Sequence, residues 1–322
     1  MRSYDANCKQ MVTEEVSPSP HLSDVAVSGS PRIAVVIASV GRPEALAQWR
    51  ERISSQSRAP DVFVYSVTGE IDLPPEAERV PGAIVVVGAK GLPKQRNAGI
   101  EAVVDRCDVI AFFDDDYLPS RGAVEGIERL FREHPEIISA NGTLLADGIN
   151  TAGVTHGDAM TLLDSWDAHG RDGYSLIEHQ GGLYGCNMVY RTDAVRDVRF
   201  DEVLPLYGWQ EDVDFGARLL GRGRTVITDA FVGVHQGSKG ARTPGVKLGY
   251  SQVANPFYLV DKGTMSRLYA IKIVAKNMIA NHVKSVRPEP WVDRIGRVRG
   301  NWIGVVDLLR GRAHPQRIFD IR

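Results

Sequence analysis

Four short runs in the first half of the chain, Ile33 to Ala38, Val62 to Val67, Ala83 to Gly88 and Val109 to Phe113, are apolar and largely β-branched with no polar alternation. A strand with one wet face alternates apolar and polar side chains, so runs that stay apolar must be covered on both faces, as in a parallel sheet. Helical patterns fill the gaps. Pro43 stands where a first helical turn begins, with Leu46, Trp49 and Ile53 on one face. A second helix is predicted from Pro93 through Ile100, Val103 and Val104. A third is predicted to open at Ser120 as N-cap, to carry Val124, Ile127 and Phe131, and to stop before Pro135. Strand and helix in alternation imply right-handed crossovers. The expected architecture is α/β, a Rossmann-like, mostly parallel sheet flanked by helices, with a ligand crevice at the carboxyl ends of its strands.

The regular pattern does not span the whole chain. Residues 1–30 are rich in Ser and Pro and read as a flexible leader, residues 31–250 as the α/β domain, and residues 251–322 as a C-terminal helical region. Ser139 to Gln180, with His156, His169 and His179, has no regular reading and is where selectivity for a second substrate is expected. Beyond it come a Gly-rich turn, a helix from Asp212 to Leu220 closed by Gly221 and Gly223, and a strand from Val226 to Val234. The net charge of −2 carries no basic excess, which argues against a nucleic-acid partner. Asn255 to Arg322 nevertheless holds thirteen Lys and Arg against five Asp and Glu. Its apolar stripes, Leu268, Ile271, Ala275, Met278 and Ile279, then Trp302, Val305, Val306 and Leu309, run near Lys272, Lys276, Lys284, Arg294, Arg297 and Arg299. Such helices either lie on an anionic membrane surface or pack on the domain or another subunit. No stretch reaches the roughly 18 to 20 apolar residues that span a bilayer, so any membrane contact is peripheral. Cys8, Cys107 and Cys186 are odd in number without close spacing, which fits a reduced compartment and a cytoplasmic location.

The chemistry is concentrated where Phe112-Phe113-Asp114-Asp115-Asp116 ends a buried strand in three carboxylates at the ligand-binding edge. Adjacent anions repel, and their charged forms are favourable only beside a cation or hydrogen-bond donors. In an extended segment Asp114 and Asp116 point the same way, so one can reach a hard divalent ion while a neighbour reaches ribose hydroxyls. The plainer reading is a solvated turn before a helix. A second acidic cluster, Gly208-Trp209-Gln210-Glu211-Asp212-Val213-Asp214-Phe215, opens a helix, where carboxylates also simply complement the dipole.

In chain order, from Arg32 to Arg242, these segments resemble the family 2 glycosyltransferases of GT-A fold. The triplet is similar to the family's Asp-x-Asp motif. Ala38-Ser39-Val40-Gly41-Arg42-Pro43 resembles the strand-to-loop segment that wraps the nucleotide, and Gly91-Leu92-Pro93-Lys94-Gln95-Arg96-Asn97-Ala98-Gly99 the segment ending in Arg-Asn-x-Gly. Gly208 to Phe215 resembles the Glu-Asp motif of inverting members, and Gly181 to Asn187 the Gly-rich donor-sugar loop. The resemblance implies inverting transfer from a nucleoside-diphosphate sugar, with UDP-sugars favoured, to a glycan or lipid-linked acceptor in exopolysaccharide or cell-surface glycan assembly. It implies Asp212 as base, with Trp209 and Glu211 on the acceptor. Ala38, Ser39, Gly41, Arg42, Arg96, Asp114, Asp115 and Asn187 would hold the donor, and Lys239 and Arg242 would do so from a mobile lid. Asp116 and His235 would ligate Mn2+ or Mg2+. Two departures stand out. Tyr65-Ser66-Val67-Thr68-Gly69 lacks the acidic residue that many relatives place against the base, and Ala38 replaces a frequent proline. A sugar-nucleotidyltransferase is a rival reading that leaves the Glu-Asp helix unexplained. A non-catalytic nucleotide-sugar-binding partner is another, against which the joint presence of Asp116, Asp212 and His235 argues.

Overall fold

In a computed structural model, which describes residues 29–169, 173–240 and 243–321, the chain forms one mixed sheet flanked by helices. Residues 1–28 of the expected leader, and Arg242, lie outside the described residues. The strands β1 (Ile33–Ala38), β2 (Val62–Val67), β3 (Ile84–Val87) and β4 (Val109–Asp114) alternate with the helices α1 (Pro43–Ser54) and α2 (Leu92–Val103), and the four strands pair in parallel in the order β3-β2-β1-β4. β1 explains why the apolar runs do not alternate. Ile33, Val35 and Ile37 pack into one core with Trp49 of α1, whereas Ala34 and Val36 pack into a second core with Ile100 and Val103 of α2. Helix and sheet approach closely there: a β-carbon at Gly99 would lie 2.4 Å from a methyl of Val36.

Two expectations are corrected. β3 is the sheet edge, where Val85 and Val87 face solvent, so its apolar run is covered on one face only. Ser120 does not cap the third helix. A short strand, β5 (Tyr117–Pro119), intervenes, and α3 (Ala123–Glu133) starts after Gly122 without a side-chain cap. Apolar periodicity located the helix, but the strand pairing of the preceding residues moved its start.

The segment without a regular reading supplies β6 (Ile137–Asp147), α4 (His156–Ala168) and β7 (Leu176–Glu178). β8 (Asn187–Arg191) and β9 (Arg224–His235) complete the sheet, whose full order is β3-β2-β1-β4-β8-β6-β9-β5, with β7 on β9. The pairings β4 with β8, β8 with β6, and β5 with β9 are antiparallel, whereas β6 and β9 run parallel. From β1 the chain winds one way through β2 to β3, and β4 then takes the other side of β1. Such a reversal opens a crevice beyond the carboxyl ends of β1 and β4, and the register pairs Ala38 with Asp114 at that point.

After the short α5 (Thr192–Val195) and α6 (Glu211–Ala217) come α7 (Gly245–Lys262), α8 (Arg267–Ser285) and α9 (Arg294–Leu309). α7 runs without a break through the expected boundary at residue 250. It joins the helical region to the sheet domain through a cluster of Leu204, Leu259, Met265 and Ala270. Among the described residues no helix is long and apolar enough to cross a membrane.

Candidate active site

The acidic triplet is not a solvated turn. Asp115 and Asp116 are buried and Asp114 partly so. Ser39 Oγ donates to Asp115 at 2.6 Å, and Arg42 grips Asp115 at 2.6 Å and Asp116 at 3.2 Å. The Trp49 indole N–H donates to the Asp115 carbonyl. Burial pushes the Asp115 carboxyl up to about 7 against the pull of Arg42. Asp115 and Arg42 therefore hold the triplet to the loop after β1.

Asp116 turns to the other side, toward β9, because β5 registers Tyr117 against His235. His235 Nε2 lies 3.4 Å from Asp116, and the Ser238 amide donates to Asp116 at 2.6 Å. Burial works to raise Asp116, yet His235, Arg42 and that amide hold it well below the usual carboxylate range. Asp114, Asp116 and His235 offer ligand atoms that all lie within 4.8 Å of one another. Two carboxylate oxygens and one imidazole nitrogen suit a hard divalent cation such as Mn2+ or Mg2+ and leave positions for diphosphate oxygens, so the residues fit the expected ion. Asp114 stands inside this cluster, whereas the sequence assigned it to the nucleotide.

Asp147, at the end of β6, had no place in the sequence reading. Its carboxylate meets His235 Nδ1 at 2.8 Å and accepts from Tyr184 Oη at 3.2 Å. Burial disfavours the imidazolium, but Asp116 and Asp147 hold His235 up to about 10. A cation and a proton thus compete for the same ring nitrogen. No local pattern marks Asp147, because its position follows from the parallel pairing of β6 with β9, which registers it against His235.

Arg96 joins the two acidic clusters. Buried at 2% exposure, it pairs with Glu211, lies 3.1 Å from Asp114 and donates to the Gly185 carbonyl at 2.8 Å. Burial pushes Glu211 up to about 8 against Arg96, and its Oε2 is buried without a hydrogen-bond partner among the described residues. Asp212 is half-buried and, among the described residues, accepts from two backbone amides, Gly185 at 3.1 Å and Val213 at 2.8 Å. Burial raises it above the ordinary carboxylate range, with Arg96 opposing. The Gly-rich loop reaches this helix end because it lacks side chains: a β-carbon at Gly182 would lie 2.4 Å from the Val213 α-carbon.

The loop before α6 is strained. Among the described residues the two non-glycines with positive φ are Leu206 and Gln210, at 59° and 75°. Such conformations persist where surroundings enforce them, commonly at functional sites. Leu206 accepts from the Leu92 amide, and buried Asn255 of α7 donates to the carbonyl of half-buried Trp209.

Other expected residues sit differently. The Asn187 side chain is buried, bonded to Asn141 and to the Gly142 carbonyl. Lys239 donates to the Gly148 and Ile149 carbonyls, which ties the expected lid to the loop after β6. Ala38 pairs in the sheet, and the Gly41 amide donates to Asp72 at 2.7 Å. Asp72 also accepts from the Thr68 amide and hydroxyl. An acidic residue therefore reaches the end of β2 from a 3-10 turn at Glu70–Asp72, beyond the Tyr65–Gly69 segment.

No protein-family model and no curated protein matches the sequence. Among solved structures, the mannosyltransferase PcManGT from Pyrobaculum calidifontis in complex with GDP-Man and Mn2+ is similar over 92% of this chain and 90% of its own, with a TM-score of 0.51 and 11% identity. Glucosyl-3-phosphoglycerate synthase from Mycobacterium tuberculosis in complex with Mn2+ and UDP is similar over 73% of this chain and 81% of its own, with a TM-score of 0.47 and 15% identity. At such identities the likeness to the mannosyltransferase is one of fold, and this chain has the GT-A architecture that its motifs led one to expect.

Proposed function

We propose that this protein transfers a sugar from a nucleoside-diphosphate donor to an acceptor hydroxyl with inversion, and that Asp212 is the base. The observation that carries the reading is convergence: Arg96 touches both Asp114 and Glu211, so the cation-binding cluster and the base-bearing helix border one site. A divalent ion held by Asp114, Asp116 and His235 would supply Lewis-acid stabilisation of the departing diphosphate.

The chain's own residues do the rest. The loop from Ser39 to Arg42, fixed by Asp72 and Asp115, borders the nucleotide side. Asp212, with no ion pair among the described residues, takes the acceptor proton as the oxygen attacks the anomeric carbon from the face opposite the diphosphate. Glu211, held by Arg96 beside Asp212, and Trp209, between Gly208 and the positive-φ Gln210, would position the acceptor. UDP-sugars are the favoured donors, and a glycan or lipid-linked acceptor in exopolysaccharide or cell-surface glycan synthesis is the favoured second substrate.

The test is purified protein with Mn2+ and a panel of nucleotide sugars, read for release of nucleoside diphosphate. Pyrophosphate release instead would assign a nucleotidyltransferase. No turnover with any donor, despite measurable binding, would favour a silent binding partner.

A further inference from the structure

Helices α8 and α9 leave apolar side chains uncovered in register. Leu268, Ile271, Ile279, Val283 and Val286 are all at least half exposed and, at spacings of three, eight, four and three residues, fall along one side of α8 and just past its end. On α9, Ile295, Trp302, Val306 and Leu309 are exposed and fall on one side of the helix. The two stripes meet, because the Trp302 indole N–H donates to His282 of α8 at 3.0 Å with the rings edge to face. Uncovered apolar stripes of this kind mark a contact with something else.

Its charges identify the occupant. α8 contains no carboxylate, and the one in α9, Asp307, is buried at 1% and paired with Arg312 and Arg317. Lys272, Arg287 and Arg299 are exposed beside the stripes and make no ion pair among the described residues. A second copy of this chain would bring the same basic rim against itself, whereas an anionic lipid surface complements it.

We infer that the α8–α9 face docks on an anionic bilayer surface, its apolar stripe at the level of the acyl boundary and its basic rim among the headgroups. The surface bears on the active site through the turn between α7 and α8. There Lys262 and the Thr264 hydroxyl hold Asp214, two positions beyond Asp212, at 2.9 and 2.7 Å. Docking therefore orients the base-bearing helix relative to the membrane. The surface is separate from the carboxylate cluster, so the transfer reading and the docking reading fail independently.

Flotation of the full chain with phosphatidylglycerol–phosphatidylcholine vesicles, against pure phosphatidylcholine vesicles, tests this. Partitioning should be at least about tenfold stronger on the anionic vesicles and weaken in high salt. The variants Ile279→Glu with Val283→Glu, and Lys272→Glu with Arg299→Glu, should each lower it by about tenfold or more, with unchanged thermal melts because these side chains are exposed. Brominated lipid should quench more of the tryptophan fluorescence in the wild type than in a Trp302→Phe variant, the difference reporting Trp302. Equal partitioning on neutral vesicles, no partitioning on either, wild-type partitioning by both variants, or a dimer that the Ile279→Glu, Val283→Glu chain no longer forms would each overturn the inference.

Discussion

The two acidic clusters look alike in the sequence and are compensated in opposite ways. In the first, every carboxylate has a cationic or imidazole partner: Arg96 for Asp114, Arg42 for Asp115, and Arg42 with His235 for Asp116. In the second, Glu211 and Asp214 have cations, from Arg96 and from Lys262 with Arg218, but among the described residues Asp212 between them has only backbone amides. An ion-paired carboxylate must break its pair to take a proton, whereas Asp212 is oriented by amides, with burial raising its proton affinity and the amides lowering it. On the proposed function, the difference would separate a cluster that holds a cation from a single residue that accepts a proton.

The largest effect should come from the exception. Asp212→Asn preserves shape and should cut turnover by about 10^2- to 10^4-fold while donor and Mn2+ affinities, measured by calorimetry, change little. Wild-type turnover would remove Asp212 as base and erase the contrast. The same residue sharpens it through pH. Because burial raises Asp212, the acid limb of the kcat profile should lie above the usual carboxylate value of about 4, with activity lost as pH falls through it.

Asp214 tests whether its neighbour's cations are structural. Asp214 is fully buried, and Asp214→Ala leaves Arg218 without this partner while Lys262 keeps Asp201, which should cost about 1.5–3 kcal/mol in denaturant unfolding. For the first cluster, Asp147→Asn should weaken Mn2+ binding about 10- to 100-fold through the His235 ring it orients, with donor affinity in the absence of metal unchanged. The smallest change is Thr264→Val, which removes one hydrogen bond to Asp214 and should cost about 1.5 kcal/mol of stability with kcat intact.

What could be read in the chain was local. Uniform apolar runs located β1, β2 and β4, and Pro43 located α1, because two-sided burial and helix initiation are written in neighbouring residues. The order of motifs brought Asp116, His235, Asp212 and Arg96 into consideration together. β6 escaped notice because its exposed end and bulged pairing with β9 blur any two-residue period.

Tertiary structure decided who touches whom. That Arg96 spans the two carboxylate clusters, that Asp147 backs His235, that Asp72 returns to the end of β2, and that Asn255 and Lys262 of α7 secure the loop and helix around Asp212 are contacts between distant segments. The sequence alone determined which residue types sit where and located β1, β2, β4 and α1, whose signals lie in neighbouring residues. Pairing energies at that range depend on burial and on a few ångströms of distance, which only the packed sheet and its helices define.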